Sequence, residues 1–311
     1  MKRAIISGAT GAIGTALIRE LIRNGVEVLI LCRESSARKG RIPSDPQVSV
    51  KYCDLAGLAT LENDTGKSYD AFFHFAWAGT AGPARNDTLL QSDNIRYALD
   101  AVAAAKRFGC EVFIGAGSQA EYGRVEGALK PHTPAFPETG YGIAKLCAGQ
   151  LTRMAASQLG LRHIWVRVLS VYGPFDGENS MIVSTVRKML AGEEPQFTKG
   201  EQLWDYLYSA DAACAFRMIA EKGKDGAVYP LGGGKAEPLK NYILALRDAV
   251  DPKIELTFGG VPYAPNQVMH LCADIEAVTR DTGWVPTTPF AEGIAATVAW
   301  LKEGSSQKEL A

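Results

Sequence analysis

The 311-residue sequence lacks several features that mark common classes of protein. Lys and Arg (33) balance Asp and Glu (34), so no excess of charge indicates nucleic acid or an anionic membrane as a partner. No apolar run approaches the roughly 20 residues of a membrane span, and a glycine turn cuts the apolar start too short for a signal peptide. We therefore expect a cytoplasmic protein with no membrane or nucleic-acid partner.

Cysteine and histidine are few and scattered. The six cysteines show no CxxC spacing, which indicates buried thiols of a reducing compartment rather than a disulfide framework. The four histidines are dispersed and offer no metal-ligand spacing. We predict that the protein holds no metal.

What the sequence does have is a regular alternation of short β-branched runs and longer helical patterns, as in "RAIISG", "TALIRELIRNG" and "EVLILCR". This order predicts an α/β fold, a Rossmann-type doubly wound parallel sheet with helices on both faces. The rhythm breaks after "VYGP", which indicates a smaller, interleaved C-terminal domain. We predict a first domain of residues 1–169, to which 207–233 return, and a second domain of 170–206 and 234–311.

The stretch "SGATGAIG" places three glycines at three-residue spacing between the first strand and the first helix. Glycines there permit a tight turn, close approach of the backbone to a pyrophosphate and close packing of helix on strand, while the helix N-terminus attracts the anion. The strand before and the helix after complete the context for dinucleotide binding. The cofactor-binding residues predicted in this turn are Gly8, Thr10, Gly11, Ala12, Ile13 and Gly14.

Arg33 ends the second strand, where an Asp or Glu would hold the adenosine-ribose diol of NAD. A guanidinium suits a 2′-phosphate, so NADP is favoured, and NAD with Glu34 on the diol is the alternative. Asp54, with Leu55 beside it, follows another strand and either meets the adenine edge or ends its strand. Ala76, after the fourth strand, completes the predicted cofactor contacts.

In "TGYGIAKLCAGQL" the four-residue step from Tyr141 to Lys145 places both side chains on one helix face. An ammonium beside a phenol favours the phenolate, so we expect a lowered pKa for Tyr141, which makes it a usable proton donor or acceptor. Ser118 ends the strand "EVFIGAGS" and is either a polar strand end or the partner of Tyr141.

Together with the glycine turn, the stretches "FHFAWAG", "GSQAEYG", "YGIAK", "VRVLSVYGP" and "GEQLWDYLYSAD" resemble the extended short-chain dehydrogenases/reductases, specifically the NAD-dependent epimerase/dehydratase family of nucleotide-sugar enzymes. The resemblance covers nearly the whole chain and implies that the first domain, 1–169 with 207–233, binds the dinucleotide and the second, 170–206 and 234–311, is the nucleotide-sugar substrate domain. It implies a homodimer in which Tyr141 exchanges a proton with a sugar oxygen, Ser118 hydrogen-bonds that oxygen and Lys145 holds the nicotinamide ribose. Asn94 either joins a supporting polar network or caps a helix.

The two residues after Ser118 bear on the reaction. Dehydratases of the family carry Asp-Glu there, whereas this chain has Gln119 and Ala120; Glu121 follows, and an extended backbone would turn it to the other face. A 4,6-dehydratase is therefore disfavoured, because elimination of water needs an acid and a base. Reduction of a 4-keto-6-deoxy sugar nucleotide is favoured; the alternatives are a 4-epimerase with tightly bound NAD and a non-catalytic dinucleotide-sensing protein.

The substrate end departs from the family pattern. Relatives often hold the diphosphate with an arginine before the aspartate of a "GxxQxRDF"-like stretch, where this chain has Trp204. Trp204 either stacks on the substrate or packs between the two domains. We assign Ser118, Gln119 and Trp204 to substrate binding. The stretches "QLWDYLY", "PYAPNQVM" and "DTGW" resemble the subgroup that includes CDP-abequose and CDP-paratose synthases, which reduce CDP-4-keto sugars.

Overall fold

The computed structural model describes residues 1–309. Its strands are β1 (Arg3–Ser7), β2 (Glu27–Cys32), β3 (Val48–Tyr52), β4 (Ala71–His74), β5 (Val112–Ser118), β6 (Arg162–Val168), β7 (Ser170–Tyr172), β8 (Leu203–Trp204), β9 (Tyr206–Tyr208), β10 (Val228–Leu231) and β11 (Glu237–Pro238). Its α-helices are α1 (Ala12–Arg23), α2 (Thr88–Arg107), α3 (Gly140–Gln158), α4 (Met181–Leu190), α5 (Ser209–Lys222), α6 (Leu239–Val250), α7 (Glu276–Thr282) and α8 (Phe290–Glu309).

In the described part, seven strands form one parallel sheet in the order β10-β6-β5-β4-β1-β2-β3. The central strands are apolar on both faces because helices cover both. Ile6 packs in the core shared with α1 and α5, and its neighbour Ile5 packs in the core shared with α2 and α3. The predicted doubly wound α/β fold is confirmed.

The chain leaves β1 toward β2 on one side and later returns to β4 on the other. This reversal opens a crevice at the carboxyl ends of β1 and β4, which is where open parallel sheets bind ligands. The glycine turn follows β1, and Ser118 is the last residue of β5. All of the predicted cofactor and catalytic residues therefore lie near one edge of the sheet.

The start of α3 is fixed by its capping residue. Thr139 lies outside the helix, and its hydroxyl accepts a hydrogen bond from the backbone N–H of Gly142 at 3.1 Å. Such a cap satisfies a donor that the first helical turn leaves free. It places Tyr141 in the first turn of α3 and Lys145 one turn further along the same face.

The C-terminal part builds its own apolar cluster from β7, α4, α6 and α8, with Tyr172, Val186, Leu246 and Ile294 among its buried side chains. Before that part ends, β10 returns to the main sheet and pairs in parallel with β6. The domain boundaries given above stay predictions, and residues 310 and 311 of the second domain lie outside the described residues.

Candidate active site

The glycine turn is shaped by two glycines and left open at a third. A Cβ on Gly8, whose φ is +76°, would lie 2.5 Å from the backbone nitrogen of Ala76. A Cβ on Gly14 would lie 2.7 Å from the Cα of Ala9, whereas a Cβ on Gly11 would meet no described atom within 4 Å. The turn therefore packs tightly at its ends and leaves room beside Gly11, at the N-terminus of α1, for a pyrophosphate.

A cavity of about 710 Å³ runs from this turn along the carboxyl ends of β2 and β3. Its lining includes the predicted cofactor residues Gly8, Thr10, Gly11, Arg33, Asp54, Leu55 and Ala76. Asp54 also stabilises its own loop, because its Oδ1 accepts a hydrogen bond from the N–H of Gly57 at 2.7 Å. The residues present thus fit an adenosine dinucleotide, whose adenosine half would lie toward Arg33.

A second cavity, of about 460 Å³, lies on the other side of the turn and shares Gly8, Gly11 and Trp77 with the first. Its lining includes the remaining predicted cofactor and catalytic residues, namely Ala12, Ile13, Gly14, Ser118, Tyr141 and Lys145. The two cavities therefore follow the course that a dinucleotide would take across the sheet edge.

The polar groups of the second cavity are held by the backbone around them. The Ser118 hydroxyl accepts a hydrogen bond from the N–H of Ala120 at 3.2 Å, so it caps a short 3₁₀ helix and also faces the cavity. The Lys145 ammonium donates to the carbonyl oxygen of Ala116 at 2.6 Å. Its Nζ lies 5.8 Å from the centre of the Tyr141 ring.

Burial dominates the acid-base properties of this pair. It raises the pKa of Tyr141 above its ordinary value, and this outweighs the opposing effects of the Ser118 hydroxyl and the Arg85 cation. The expectation of a lowered pKa for Tyr141 is therefore wrong. Burial also lowers the pKa of Lys145 to about 7, against the attraction of Glu121 for its charged form.

Glu121 lies in the short 3₁₀ helix Gln119–Glu121 and is fully buried, so the extended backbone expected there is wrong. Its carboxylate accepts hydrogen bonds from the Ser118 N–H at 2.8 Å, the Trp165 indole N–H at 2.9 Å and the Arg167 guanidinium at 2.7 Å. These three hydrogen bonds to one carboxylate hold the end of β5 against β6.

Comparison with known families agrees with this geometry. The profile of the NAD dependent epimerase/dehydratase family matches residues 4–232, well over half of the chain. The chain belongs to this family. The resemblance of the sequence motifs to the epimerase/dehydratase family is thereby confirmed.

Relatives in the epimerase/dehydratase family include enzymes of both named types. The dTDP-glucose 4,6-dehydratase of Salmonella typhimurium is 25% identical over 96% of this chain and 92% of its own, and that of Neisseria meningitidis serogroup B is 24% identical over 98% and 95%. The structure of UDP-N-acetylglucosamine 4-epimerase from Methanobrevibacter ruminantium M1 matches with a TM-score of 0.87 at 24% identity, over 97% of this chain and 99% of that one. UDP-glucose 4-epimerase from Thermotoga maritima matches with a TM-score of 0.85 at 23% identity and the same coverage. At these identities the two structures show a shared fold.

Two other predicted residues of this family member lie outside the lining of the two cavities. Gln119 opens the 3₁₀ helix next to Ser118. Trp204 donates its indole N–H to the Ser170 hydroxyl at 2.8 Å and packs against an apolar cluster around Tyr122. Neither residue is among those that line the two cavities in the described chain, so their assignment to the substrate stays a prediction.

Asn94 is buried inside α2, not at its start. Its side chain accepts from the N–H of Ala78 and donates to the oxygen of the same residue, both at 2.9 Å. The helix-cap interpretation is therefore wrong. The polar-network interpretation fits, since Asn94 holds the loop that follows β4.

Three residues at the second cavity were missed by the sequence reasoning. Trp77 lines the cavity, Arg85 lies over the Tyr141 ring, and Asp176 lines the cavity with a pKa that burial raises. All three lie on connecting segments without a repeating pattern. The one available signal was the tryptophan in "FHFAWAG", directly after a strand end.

Three further findings concern metal ligands, membrane-spanning helices and cysteines. No group of three or more potential metal ligands occurs among the described residues. None of the described helices is long and apolar enough to cross a membrane. The six cysteines all lie in the described part and are free thiols.

Proposed function

We propose that the protein is an NAD(P)-dependent nucleotide-sugar oxidoreductase that reduces a 4-keto-6-deoxy sugar nucleotide. The observation that carries the proposal is the placement of Ser118, Tyr141 and Lys145 in the lining of one cavity together with the glycine turn. Membership of the epimerase/dehydratase family supports the class of substrate.

The proposal gives each polar group one task. A nicotinamide cofactor, when bound, would supply hydride to the sugar carbon. Tyr141 gives its hydroxyl proton to the sugar oxygen, Ser118 donates a hydrogen bond to that oxygen, and Lys145 holds the nicotinamide ribose. Burial raises the pKa of Tyr141, so the phenol carries its proton at neutral pH and has it available to donate.

Reduction fits the end of β5 better than dehydration does. The positions after Ser118 hold Gln119 and Ala120, neither of which is an acid or a base. The nearby carboxylate of Glu121 is already bound by three donors in the interior. An elimination of water would need an acid and a base that these residues do not supply.

We further propose NADP as the cofactor, with NAD as the alternative. Arg33 and Arg38 line the adenosine end of the larger cavity together with Ser36. Two guanidinium groups and a hydroxyl suit a 2′-phosphate. The proposal also includes the homodimer implied by the family resemblance and the cytoplasmic location expected from the sequence.

The test is to mix the purified protein with NADPH, and separately NADH, and a panel of 4-keto-6-deoxy sugar nucleotides led by the CDP form. We expect stoichiometric loss of reduced-nicotinamide absorbance. Tyr141→Phe removes the proton donor and should lower the rate by roughly 10²–10⁴-fold. The matched control is Tyr52→Phe on the exposed edge strand β3, which should retain the rate.

Other outcomes would replace the proposal. Interconversion of ordinary nucleotide sugars by protein that copurifies with NAD, without net consumption of cofactor, would identify a 4-epimerase. Loss of water from a nucleotide sugar, detected by mass spectrometry, would identify a dehydratase. Equal activity of wild type and Tyr141→Phe would favour a non-catalytic dinucleotide-sensing protein.

A further inference from the structure

The loop of residues 77–86, between β4 and α2, encloses the Tyr141 ring. The Trp77 ring meets it edge-on, with 6.2 Å between centres and 85° between planes. The guanidinium carbon of Arg85 lies 4.3 Å from the centre of the Tyr141 ring, which is a close cation–π contact. Two side chains of one loop thus bracket the phenol.

The loop is fixed by a buried amide on α2. The Gln91 side chain accepts from the Trp77 indole N–H at 2.9 Å and donates to the carbonyl oxygens of Gly79 at 3.0 Å and Ala84 at 2.9 Å. These bonds hold Trp77 at one end of the loop and the residue before Arg85 at the other. This hydrogen-bond network therefore holds the loop in one conformation around Tyr141.

The loop is also joined directly to the helix that carries Tyr141. Asn86 Oδ1 accepts a hydrogen bond from the N–H of Gly140 at 3.0 Å, at the start of α3. Arg85 donates through Nη1 to the carbonyl oxygen of Thr80 at 2.9 Å, which orients its guanidinium. These hydrogen bonds hold the Arg85 guanidinium over the face of the Tyr141 ring.

The other charged groups that act at Tyr141 are less directly placed. Lys145 lies 3.7 Å over the Trp77 ring and donates to Ala116, and its Nζ is 5.8 Å from the Tyr141 ring centre. Glu121, buried in the 3₁₀ helix after β5, disfavours a negative charge on Tyr141. Among these groups, Arg85 is the cation that contacts the phenol ring most closely.

We propose that Arg85 is a positioning residue for Tyr141, holding the ring against Trp77 and stabilising the negative charge that remains on the phenol after proton transfer. The inference rests on the proton-donor role of Tyr141 in the proposed function. In that step the O–H bond of Tyr141 breaks, a new O–H bond forms on the sugar oxygen, and the phenolate keeps the electron pair. A guanidinium on the ring face favours that product, while Lys145 stays available for the ribose.

The test is a near-ultraviolet titration of the Tyr141 phenol, isolated as the difference between each protein and its Tyr141→Phe counterpart. Rapid pH jumps record the signal while the protein is still folded. Arg85→Gln and Arg85→Met remove the charge, and we expect the Tyr141 midpoint to move to higher pH in both. Arg85→Lys keeps a charge and should stay closer to wild type.

The matched control is Arg96→Gln on α2. Arg96 lies 4.9 Å over the ring of Tyr97 in the same kind of contact, but away from Tyr141. A Tyr141 midpoint that moves no further in Arg85→Gln and Arg85→Met than in Arg96→Gln would overturn the proposal. So would equal shifts in Arg85→Lys and Arg85→Gln, because the charge would then not matter.

Activity gives a second readout once a substrate is found. The alkaline limb of the pH–rate profile for reduction should move to higher pH in Arg85→Gln, because Tyr141 then stays protonated longer. Reverse oxidation, which needs the phenolate, should slow by roughly tenfold or more at neutral pH, the effect of losing one close opposite charge. The titration needs no substrate, so it stands even if the proposed reaction is wrong.

Discussion

Two glycines of one turn differ in what a methyl group would meet. At Gly14 a Cβ would press against Ala9, so Gly14→Ala should lower both the stability and the affinity for the dinucleotide. At Gly11 the space is open and φ is −89°, so Gly11→Ala should keep its melting temperature but bind the dinucleotide more weakly, since the methyl group lies where the pyrophosphate would pass.

Thermal denaturation and fluorescence titration with NADPH separate these two effects. Unchanged NADPH affinity in Gly11→Ala would show that the turn does not hold the pyrophosphate. A melting temperature for Gly14→Ala equal to that of wild type would contradict the packing argument.

Sequence alone could predict those residues whose spacing along the chain is itself required for the chemistry. Tyr141 and Lys145 share a helix face, and the glycines follow a strand, so both groups could be predicted and the structure brings them to one sheet edge. The pKa of Tyr141 could not be predicted, because its sign depends on burial by parts of the chain distant in sequence. Arg85 was missed for a related reason, since it lies in a short 3₁₀ helix, Gly82–Asn86, that has no hydrophobic period to follow.

At the scale of elements, one buried ion pair joins the end of β5 to β6. The Glu121 and Arg167 side chains are 0% and 6% exposed. Glu121→Gln leaves the guanidinium without a counter-charge, and we expect a loss of about 3–5 kcal/mol in the free energy of unfolding. Replacing both partners by apolar residues, in Glu121→Leu with Arg167→Met, should recover part of that loss.

The control is the surface pair Arg124–Glu138, whose side chains are 49% and 44% exposed. Glu138→Gln should cost less than about 1 kcal/mol, because water solvates both charges. Urea denaturation measures all three variants. Equal losses in Glu121→Gln and Glu138→Gln would contradict a structural role for the buried pair.

The elements of the first half could be predicted because each strand and helix has a clear hydrophobic period. The two-residue strands β8 and β11 could not, since they exist through pairing with parts of the chain that are distant in sequence. The 3₁₀ helix after Ser118 was also beyond prediction. It depends on the Glu121 carboxylate, which accepts a hydrogen bond from the Ser118 N–H and another from Arg167 on β6.

At the scale of the whole molecule, two buried histidines contribute to the loss of stability in acid. Burial lowers the pKa of His74 to about 3 and that of His163 to about 4. Below the ordinary histidine value of about 6.5 the unfolded chain binds protons that the folded chain does not, so stability falls as the pH decreases. We expect the loss between neutral pH and about pH 5 to be smaller in His163→Gln, by up to about 1.4 kcal/mol per pH unit.

Urea denaturation across this pH range checks the prediction. Glutamine is chosen because His163 Nε2 contacts the Thr152 hydroxyl at 2.9 Å, which an amide can still reach. His132→Gln, at an exposed position, is the control and should keep the wild-type slope. A parallel slope in His163→Gln and wild type would remove His163 as the cause.

The return of β10 to the sheet has a consequence for synthesis on the ribosome. The outer edge of β6 stays open until Val228–Leu231 emerge, after α4 and α5 have been made. An open strand edge is a template for pairing with other chains, and closing it requires contacts between distant parts of the sequence. The nascent chain should therefore depend on chaperones during this interval, and a chain truncated before residue 228 should aggregate. Once β10 is seated, Pro230 offers no N–H, so the finished sheet ends in a strand poorly suited to further pairing.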